Sequence, residues 1–292
     1  MNFQEILDEH HVVYHTSGAK CRTGWLNMTC PYCDKSPYLG YSIEGRLCNC
    51  WNCGWHSLGE TLHFLTRLPL GTCYELIGRI PRSPSKSLSQ HTGKLKYPVG
   101  LNRLSIWGRD YIERRGMSSY AIQKLWNVQE IGIYGGLLRW RLFIPVHQDG
   151  MVVTWTARSI NPDCPHSNRY RNASKEDSAI PIDECIYGID YVRQSIILVE
   201  GPIDVWRIGP GAGAVLGLKV SPPMLERLSR ASNRLICFDN EPDAQARARK
   251  LMNDLSVLDG STTNIILETG NDPASASLAE IESLRKEFLC LS

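Results

Sequence analysis

Three short, mainly apolar runs in the second half of the chain each lead into acidic residues. They are residues 196–199 before Glu200, residues 235–238 before Asp239 and Glu241, and residues 264–267 before Glu268 and Asp272. Such runs are too short for buried helices and are typical of buried strands. Because open parallel sheets bind their ligands beyond the carboxyl ends of their strands, we predict that these acids meet at one edge of a sheet.

Helical patterns alternate with these strands from residue 196 onward. Ser221 is a candidate N-cap for one helix, and residues 242–255 place Ala248 and Leu251 on a buried face that leaves Arg247 outward. The alternation predicts a parallel sheet covered by helices on both faces. The chain as a whole is therefore predicted to be α+β, with an α/β part in its C-terminal third.

The pattern before residue 196 is different. Residues 137–146 and 151–159 are rich in strand-forming residues and flank Asp149-Gly150, which predicts a β-hairpin. Arginines recur through this region, namely Arg141, Arg158, Arg169 and Arg171. We expect their guanidinium groups to lie on one face of the strands and to contact phosphates, because few acids that could pair with them lie nearby.

Cysteines are clustered in the N-terminal part of the chain. Two Cys-x-x-Cys pairs occur there, Cys30 with Cys33 and Cys50 with Cys53. Two strand patterns joined at Glu44-Gly45 separate the pairs, which is the organisation of a zinc ribbon with four thiolates around one zinc ion. Cys48 could replace Cys50, but it lacks the knuckle spacing. Since four thiolates leave no open coordination position, the zinc is expected to be structural.

The function of a zinc ribbon is expected on its surface. The hairpin and the second knuckle supply aromatic and basic side chains, namely Tyr38, Tyr41, Arg46, Trp51, Trp55 and His56. These groups are suited to stacking on unpaired bases, although Trp51 or Trp55 could instead fill the small core. Residues 80–98 are rich in Ser, Pro and Lys, a composition that predicts a flexible linker. The linker would separate a ribbon domain (1–79) from a second domain (99–292). The second domain is predicted to contain two subdomains, 99–193 and 194–292.

The N-terminus lacks the pattern of a signal peptide, and no apolar stretch is long enough to span a membrane. We therefore expect a cytoplasmic protein without a membrane partner, in which clustered cysteines bind metal rather than form disulfides. The formal net charge of +2 is too small to indicate a class of partner.

The grouped acids favour a divalent cation. Glu200, Asp239, Glu241 and Asp272 would repel one another unless a cation neutralised them, and oxygen ligands favour Mg²⁺ or Mn²⁺ over zinc. Mg²⁺ takes one or two carboxylates and fills its remaining positions with water and substrate phosphates. The pattern predicts metal-dependent phosphoryl transfer, with arginines holding an anionic substrate. Asp272 could alternatively be a helix cap.

Several motifs occur in a characteristic order. At the acidic edge they are Val199-Glu200-Gly201-x-x-Asp204-Val205, Phe238-Asp239-x-Glu241 and Asn271-Asp272-Pro273. Upstream they are Arg141-Leu142-Phe143-Ile144-Pro145, Ala157-Arg158, Arg169-Tyr170-Arg171-Asn172 and Ile186-Tyr187-Gly188. The first set resembles the TOPRIM catalytic core shared by DnaG-type primases and topoisomerases, and the second resembles the upstream motifs of the primases. With its zinc ribbon, the chain resembles a short DnaG-type primase of phages and bacteria.

This resemblance implies synthesis of short RNA primers from ribonucleoside triphosphates on single-stranded DNA. It implies that Glu200, Asp239, Glu241 and Asp272 are the catalytic, metal-binding acids, with Glu200 as the acid or base. It further implies that Arg141, Arg158, Arg169 and Arg171 bind nucleotide or template. The ribbon would help to select the initiation sequence, and a separate replicative helicase is an expected partner. The family usually has Asp where Glu241 stands, and glutamate is longer by one methylene, a departure that bears on both the metal position and the activity.

Other functions fit the same residues. A catalytically weak TOPRIM scaffold could hold single-stranded DNA on these surfaces, and a TOPRIM nuclease could cut it. A nuclease would not need the ribbon or the strand region before residue 193. A topoisomerase needs a tyrosine on a separate large domain, for which 292 residues leave little room.

Overall fold

The chain divides into two structural units. The ribbon unit contains Met1–Lys86 with Asn253–Ser261, and the large unit contains Ser87–Met252 with Thr262–Ser292. The computed structural model describes residues 2–18, 21, 24–43, 46–80, 94–216 and 221–289. The predicted turn at Glu44-Gly45 and residues 81–93 of the predicted linker lie outside the described residues.

A five-stranded antiparallel sheet forms the centre of the ribbon unit. Its strands pair in chain order and are β1 (Tyr14–His15), β2 (Trp25–Met28), β3 (Leu39–Ser42), β4 (Cys48–Cys50) and β5 (Gly54–His56). Leu39 of β3 lies opposite both Met28 of β2 and Cys50 of β4. Because Cys30 follows Met28 by two residues, this pairing brings the two cysteine pairs together.

Three helices complete the ribbon unit, namely α1 (Phe3–Glu9), α2 (Leu58–Thr66) and α3 (Leu70–Arg79). The Asn2 side chain accepts a hydrogen bond from Glu5 N at 2.9 Å, and the Glu5 carboxylate accepts one from Asn2 N at 3.0 Å, so α1 begins with a capping box. The sequence patterns do not predict α2 and α3. Their buried side chains, among them Leu62 and Ile77, enlarge the core of the ribbon unit.

The first sheet of the large unit is antiparallel, with strand order β10-β9-β8-β7-β6. The strands are β6 (Leu101–Asn102), β7 (Gln129–Ile131), β8 (Arg141–Gln148), β9 (Met151–Ser159) and β10 (Tyr170–Asn172), and helices α4 (Ile106–Glu113) and α5 (Ser119–Trp126) lie between β6 and β7 in the chain. Asp149 and Gly150 join β8 to β9 with φ values of 52° and 79°, which confirms the predicted hairpin. The predicted start at Leu137 is wrong, because Ile133–Leu138 forms a 3₁₀ segment.

The second sheet of the large unit has strand order β11-β13-β12-β14-β15. The strands are β11 (Ile186–Tyr187), β12 (Ser195–Val199), β13 (Ala212–Val215), β14 (Asn233–Ile236) and β15 (Ser261–Asn264). β12 runs parallel to β13 and β14, whereas β11 is antiparallel to β13, so the sheet is mixed rather than wholly parallel. The third predicted strand is displaced, since β15 ends at Asn264 and Ile266 beyond it is exposed.

Helices α6 (Pro202–Ile208), α7 (Pro222–Leu228), α8 (Pro242–Leu255) and α9 (Leu278–Leu289) follow the strands of this sheet. α6 packs against β13, α9 packs against β12, and these two helices contact each other. Ile196 and Ile197, which point to opposite faces of β12, are both fully buried, so both faces of the sheet are covered as predicted.

The described end of the predicted linker is held against the large unit. Lys96 N donates to Asp177 O at 3.0 Å, the Lys96 ammonium lies 2.8 Å from the Asp177 carboxylate, and Trp155 Nε1 donates to Lys96 O at 2.9 Å. In the described ranges, none of the helices combines the length and the apolar composition that crossing a membrane requires.

Candidate functional site

The four predicted zinc ligands converge in the ribbon unit. The sulfurs of Cys30 and Cys53 lie 3.6 Å apart, as do those of Cys33 and Cys50, and all four lie within 4.8 Å of one another. Tetrahedral zinc with bonds of about 2.3 Å separates its sulfurs by about 3.8 Å, so the cluster fits one structural zinc ion. Cys48 is buried outside this group, which decides the alternative in favour of Cys50.

The knuckle backbone favours the thiolates that zinc requires. A hydrogen bond from the Lys35 backbone lowers the pKa of Cys33 to about 7, and Asn52 N donates to Cys50 Sγ at 3.4 Å. Burial raises the pKa of Cys48 to about 12, and it also raises the pKa of Cys30 and of Cys53. Position separates Cys48 from the zinc ligands, because its sulfur lies outside the four-cysteine cluster.

The predicted base-stacking surface of the ribbon is smaller than expected. Tyr41 is buried and stacks on Phe3 with ring centroids 3.8 Å apart, so its predicted place on the surface is wrong. It belongs to the core because α1 covers that face of β3. Trp51 is 39% exposed, and its ring lies 5.4 Å from that of Trp25. Trp51 thus keeps a free face that could stack on a base.

Parallel pairing of β12 and β14 brings two of the predicted acids to one edge. Cys237 N donates to Leu198 O at 2.8 Å, which continues the register of the two strands to their carboxyl ends. Glu200 lies two residues beyond Leu198, and Asp239 lies two residues beyond Cys237. They therefore leave the sheet side by side, as the sequence pattern predicts.

The loop that carries Asp272 joins the same edge. Asn240 N donates at 2.6 Å to the main-chain oxygen of the residue before Asp272. Burial, followed by repulsion from Glu200, Asp272 and Glu241, raises the pKa of Asp239 to about 7. The four predicted acids therefore interact electrostatically, with Asp239 at the centre of the group.

Asp204 is a further acid at this edge, and the sequence reasoning gave it no role. Its buried carboxylate accepts hydrogen bonds from Gly201 N at 3.2 Å and Ala274 N at 3.3 Å. Burial, followed by repulsion from Asp272 and Asp239, raises its pKa to about 8. Asp204 ties the start of α6 to the Asp272 loop. Two sequence signals pointed to it, since Asp204 belongs to the motif of residues 199–205 and stands at the third position of a helix.

Arg247 is a cation at this edge, although the helical pattern placed it outward. Its Nη2 donates to both carboxylate oxygens of Glu200, at 2.8 and 2.9 Å. The Arg247 side chain remains partly exposed, and the helical pattern missed only its contact with Glu200. That contact comes from a distant strand end, and periodicity within α8 does not contain this information. The same guanidinium acts to lower the pKa of Asp239. Glu200 is thus held by a cation next to Asp239.

The acids supply a donor set that fits Mg²⁺ or Mn²⁺. They offer only oxygen ligands, and the raised pKa of Asp239 shows negative charge that a cation would neutralise. Within the described ranges, only the four cysteines form a group of three or more potential metal ligands whose donor atoms all lie within 4.8 Å of one another, and no three carboxylates do so. The carboxylates are spaced more widely, which fits an ion held by one or two of them and completed by water and phosphate.

The strand register places the predicted arginines on two faces of the first sheet. Arg158 lies opposite Leu142 and Tyr170, whereas Arg141 lies opposite Ser159. Arg171 lies opposite Ala157 and shares the face of Arg141. The expectation that all of them share one face is wrong, because side chains alternate along a strand and Arg158 stands at a position of opposite parity.

Arg141 is buried and bonded to main-chain oxygens. Its guanidinium donates to the carbonyls of Ala157 at 3.3 Å, Asn168 at 2.8 Å and Arg169 at 3.1 Å. Burial lowers the pKa of Arg141. These contacts fix the segment before β10, which carries Arg169, and the half-buried Arg171 follows within β10.

Arg158 connects the first sheet to the acidic edge. Its Nε donates to the Tyr111 hydroxyl at 2.9 Å, and its guanidinium lies 4.6 Å from the centre of the Tyr170 ring. The Tyr170 hydroxyl in turn lies 3.7 Å from the position that a β-carbon would take at Gly201. Arg158 is therefore one side chain away from the segment that carries Glu200.

The raised pKa of Asp204 predicts pH-dependent stability in the absence of divalent cations. The ordinary value is 3.8, so at intermediate pH the folded chain holds a proton that the unfolded chain has released. The free energy of unfolding should therefore fall as the pH rises from about 4 to about 8 and then level off. We expect Asp204→Asn to reduce this slope in urea unfolding with EDTA and to leave the part that Asp239 contributes. An unchanged slope in the variant would contradict the assignment.

Two solved structures share the fold of this chain. The catalytic domain of a DnaG primase bound to single-stranded DNA matches with a TM-score of 0.52 at 16% identity, over 63% of this chain and 72% of that chain. The zinc-binding and RNA polymerase domains of the Aquifex aeolicus primase match with a TM-score of 0.52 at 17% identity, over 98% of this chain and 82% of that chain. No protein-family model and no curated protein matches the sequence. The chain has the fold of DnaG-type primase domains.

Proposed function

We propose that this chain is a primase that synthesises short RNA primers from ribonucleoside triphosphates on single-stranded DNA. The observation that carries the proposal is the acidic edge, where Glu200 and Asp239 leave parallel strands beside the Asp272 loop. The shared fold and the four-cysteine cluster support it. Phosphoryl transfer needs a cation and positioned cationic side chains; this edge has acids for the first, and for the second it has Arg247, with Arg158 one side chain away.

In the proposed mechanism, Asp239, Glu241 and Asp272 would hold the catalytic Mg²⁺ or Mn²⁺, with each ion bound by one or two of these carboxylates. The ion would neutralise charge on the triphosphate and on the attacking and leaving oxygens. Glu200 is the candidate acid or base, and it can also act as a metal ligand once Arg247 releases it. Because Arg247 contacts both oxygens of Glu200, we infer that this arginine positions the carboxylate before substrate binds.

The arginines of the first sheet have different proposed roles. Arg158, Arg169 and Arg171 bind triphosphate or template phosphates, because their guanidinium groups are not buried against carbonyls as that of Arg141 is. Arg141 acts through the segment that it holds in place.

We further propose that residues 1–79 recognise the template and that residues 80–98 link them to the polymerase part. Within residues 99–292, the subdomains 99–193 and 194–292 supply the arginines and the acids, respectively. The zinc cluster supports the ribbon, and Trp51 offers its exposed face to a template base. A separate replicative helicase remains an expected partner.

The proposal is tested by incubating the full chain with ribonucleoside triphosphates, Mg²⁺ or Mn²⁺ and single-stranded templates of varied sequence. We expect short RNA products whose 5′ ends map to preferred template positions, resolved on denaturing gels. Template binding without products would instead identify a scaffold. Cleaved template would identify a nuclease.

A further inference from the structure

A pocket of about 610 Å³ lies in the large unit and has no part in the proposed mechanism. It is formed by α4, by the residue that precedes β8 and by the segment that follows β9. Its lining includes Trp107, Tyr111, Arg114, Arg115, Trp140 and Asn161. The pocket combines three aromatic side chains with two arginines, a composition that is unusual for a protein core and common in sites for nucleotides.

The two tryptophans of this pocket remain accessible to solvent. Trp107 is 64% exposed and Trp140 is 40% exposed. Trp140 has a φ of 60°, in the left-handed region that a bulky side chain rarely adopts. Hydrogen bonds hold it there, from Trp140 N to Ile131 O at 2.8 Å and from Ile160 N to Trp140 O at 3.1 Å. The fold therefore maintains a strained backbone that presents an indole at the surface.

The arginines supply positive charge at the same place. The Arg115 guanidinium lies 3.9 Å from the centre of the Tyr111 ring and donates to Tyr111 O at 3.1 Å. Arg114 pairs with Asp110 at 2.7 Å, yet its side chain is 75% exposed. An unpaired base has two flat faces for aromatic stacking and an adjoining phosphate for an arginine. The chemistry of the pocket matches both parts of a nucleotide.

Contacts connect the pocket to the acidic edge. The Tyr111 hydroxyl accepts a hydrogen bond from Arg158 Nε, and Arg158 lies over the Tyr170 ring beside Gly201. A polynucleotide held in the pocket could continue along Arg158 towards Glu200. This continuity favours a strand of nucleic acid over a free mononucleotide as the occupant.

We propose that the pocket of Trp107 and Trp140 binds an unpaired base of single-stranded DNA at a position removed from the acidic edge. The proposal rests on the proposed function in that the strand is the primase template. The pocket would hold the template in register while nucleotides are joined elsewhere. Its contribution should appear in DNA affinity and not in chemistry at saturating template.

The test uses the full chain with Trp107→Ala and Trp140→Asn combined. Asn tolerates the left-handed backbone at position 140 but lacks a face for stacking. We expect the affinity for a fluorescent oligonucleotide of about 16 nucleotides, measured by anisotropy, to fall at least about fivefold. Tyr120→Ala is the matched control, because Tyr120 is 73% exposed and lies near Lys124 but outside the pocket.

A series of oligonucleotides with one abasic position distinguishes a base from a phosphate. In the wild type, removal of one particular base should lower the affinity for the oligonucleotide. In the double variant, removal of the same base should leave the affinity unchanged. Equal abasic effects in both proteins, or an affinity of the double variant like that of Tyr120→Ala, would overturn the proposal. Primer synthesis is measured separately at saturating template. If the wild type makes no primers, the proposed function fails while the affinity data still decide on the pocket.

Discussion

Asp239→Asn is expected to reduce primer synthesis by at least about 10³-fold and to leave single-stranded DNA binding within about twofold of wild type. Asp239 is at the centre of the acidic group, since Glu200, Glu241 and Asp272 all act on its pKa. The amide keeps the shape of the side chain but removes the charge that attracts a divalent ion. In the proposed function, DNA binding depends on the arginines and the aromatic side chains, which this change does not touch. Primer yield and anisotropy, measured on the same preparation, separate the two effects.

Asp243→Asn is the matched control for this prediction. Asp243 is exposed in the first turn of α8, so its replacement removes an equal charge from the same part of the chain. We expect primer yield within about twofold of wild type, because an exposed charge is screened by solvent and salt. If both variants lost activity alike, overall charge and not metal binding would explain the loss. Loss of DNA binding in Asp239→Asn alone would instead indicate a folding role.

The sequence predicted the features that follow from local spacing. Cys30, Cys33, Cys50 and Cys53 were identified because each pair occupies one knuckle, and the hairpin between them needs only strand patterning. Glu200 and Asp239 were placed together because two apolar runs of strand length end beside them. In both cases a short segment contains all the information that is required.

The features that the sequence did not predict depend on contacts between distant segments. Arg247 pairs with Glu200, 47 residues away, while the helical pattern shows only that Arg247 precedes a buried alanine. Arg141 and Arg158 differ in environment because the pairing of β8, β9 and β10 sets which face each occupies. The Trp107 pocket is likewise assembled from three segments of the chain, residues 107–115, residue 140 and residues 160–162. Each of these depends on register or packing, which composition and periodicity do not specify.

Cys50→Ser is expected to abolish zinc binding and to unfold much of the ribbon unit. Structural zinc sites contribute about 10–16 kcal/mol of apparent binding free energy in small domains, and a serine hydroxyl is a poor zinc ligand at neutral pH. Cys50 also ends β4, whose pairing with β3 and β5 spans the centre of the sheet. Zinc content by mass spectrometry of metals should fall from about one ion per chain to near zero. Loss of the ribbon signals in thermal unfolding should accompany it.

Cys48→Ala separates loss of zinc from loss of a buried cysteine. Cys48 lies two residues from Cys50 in the same strand and is equally buried, but its sulfur is outside the four-cysteine cluster. We expect this variant to keep about one zinc ion and to lose only the stability that follows from a smaller buried side chain. Because the acids lie in the large unit, Cys50→Ser should retain its residual chemistry on short templates but lose its preference among template sequences. Loss of zinc in Cys48→Ala, with retention in Cys50→Ser, would reverse the assignment of the fourth ligand.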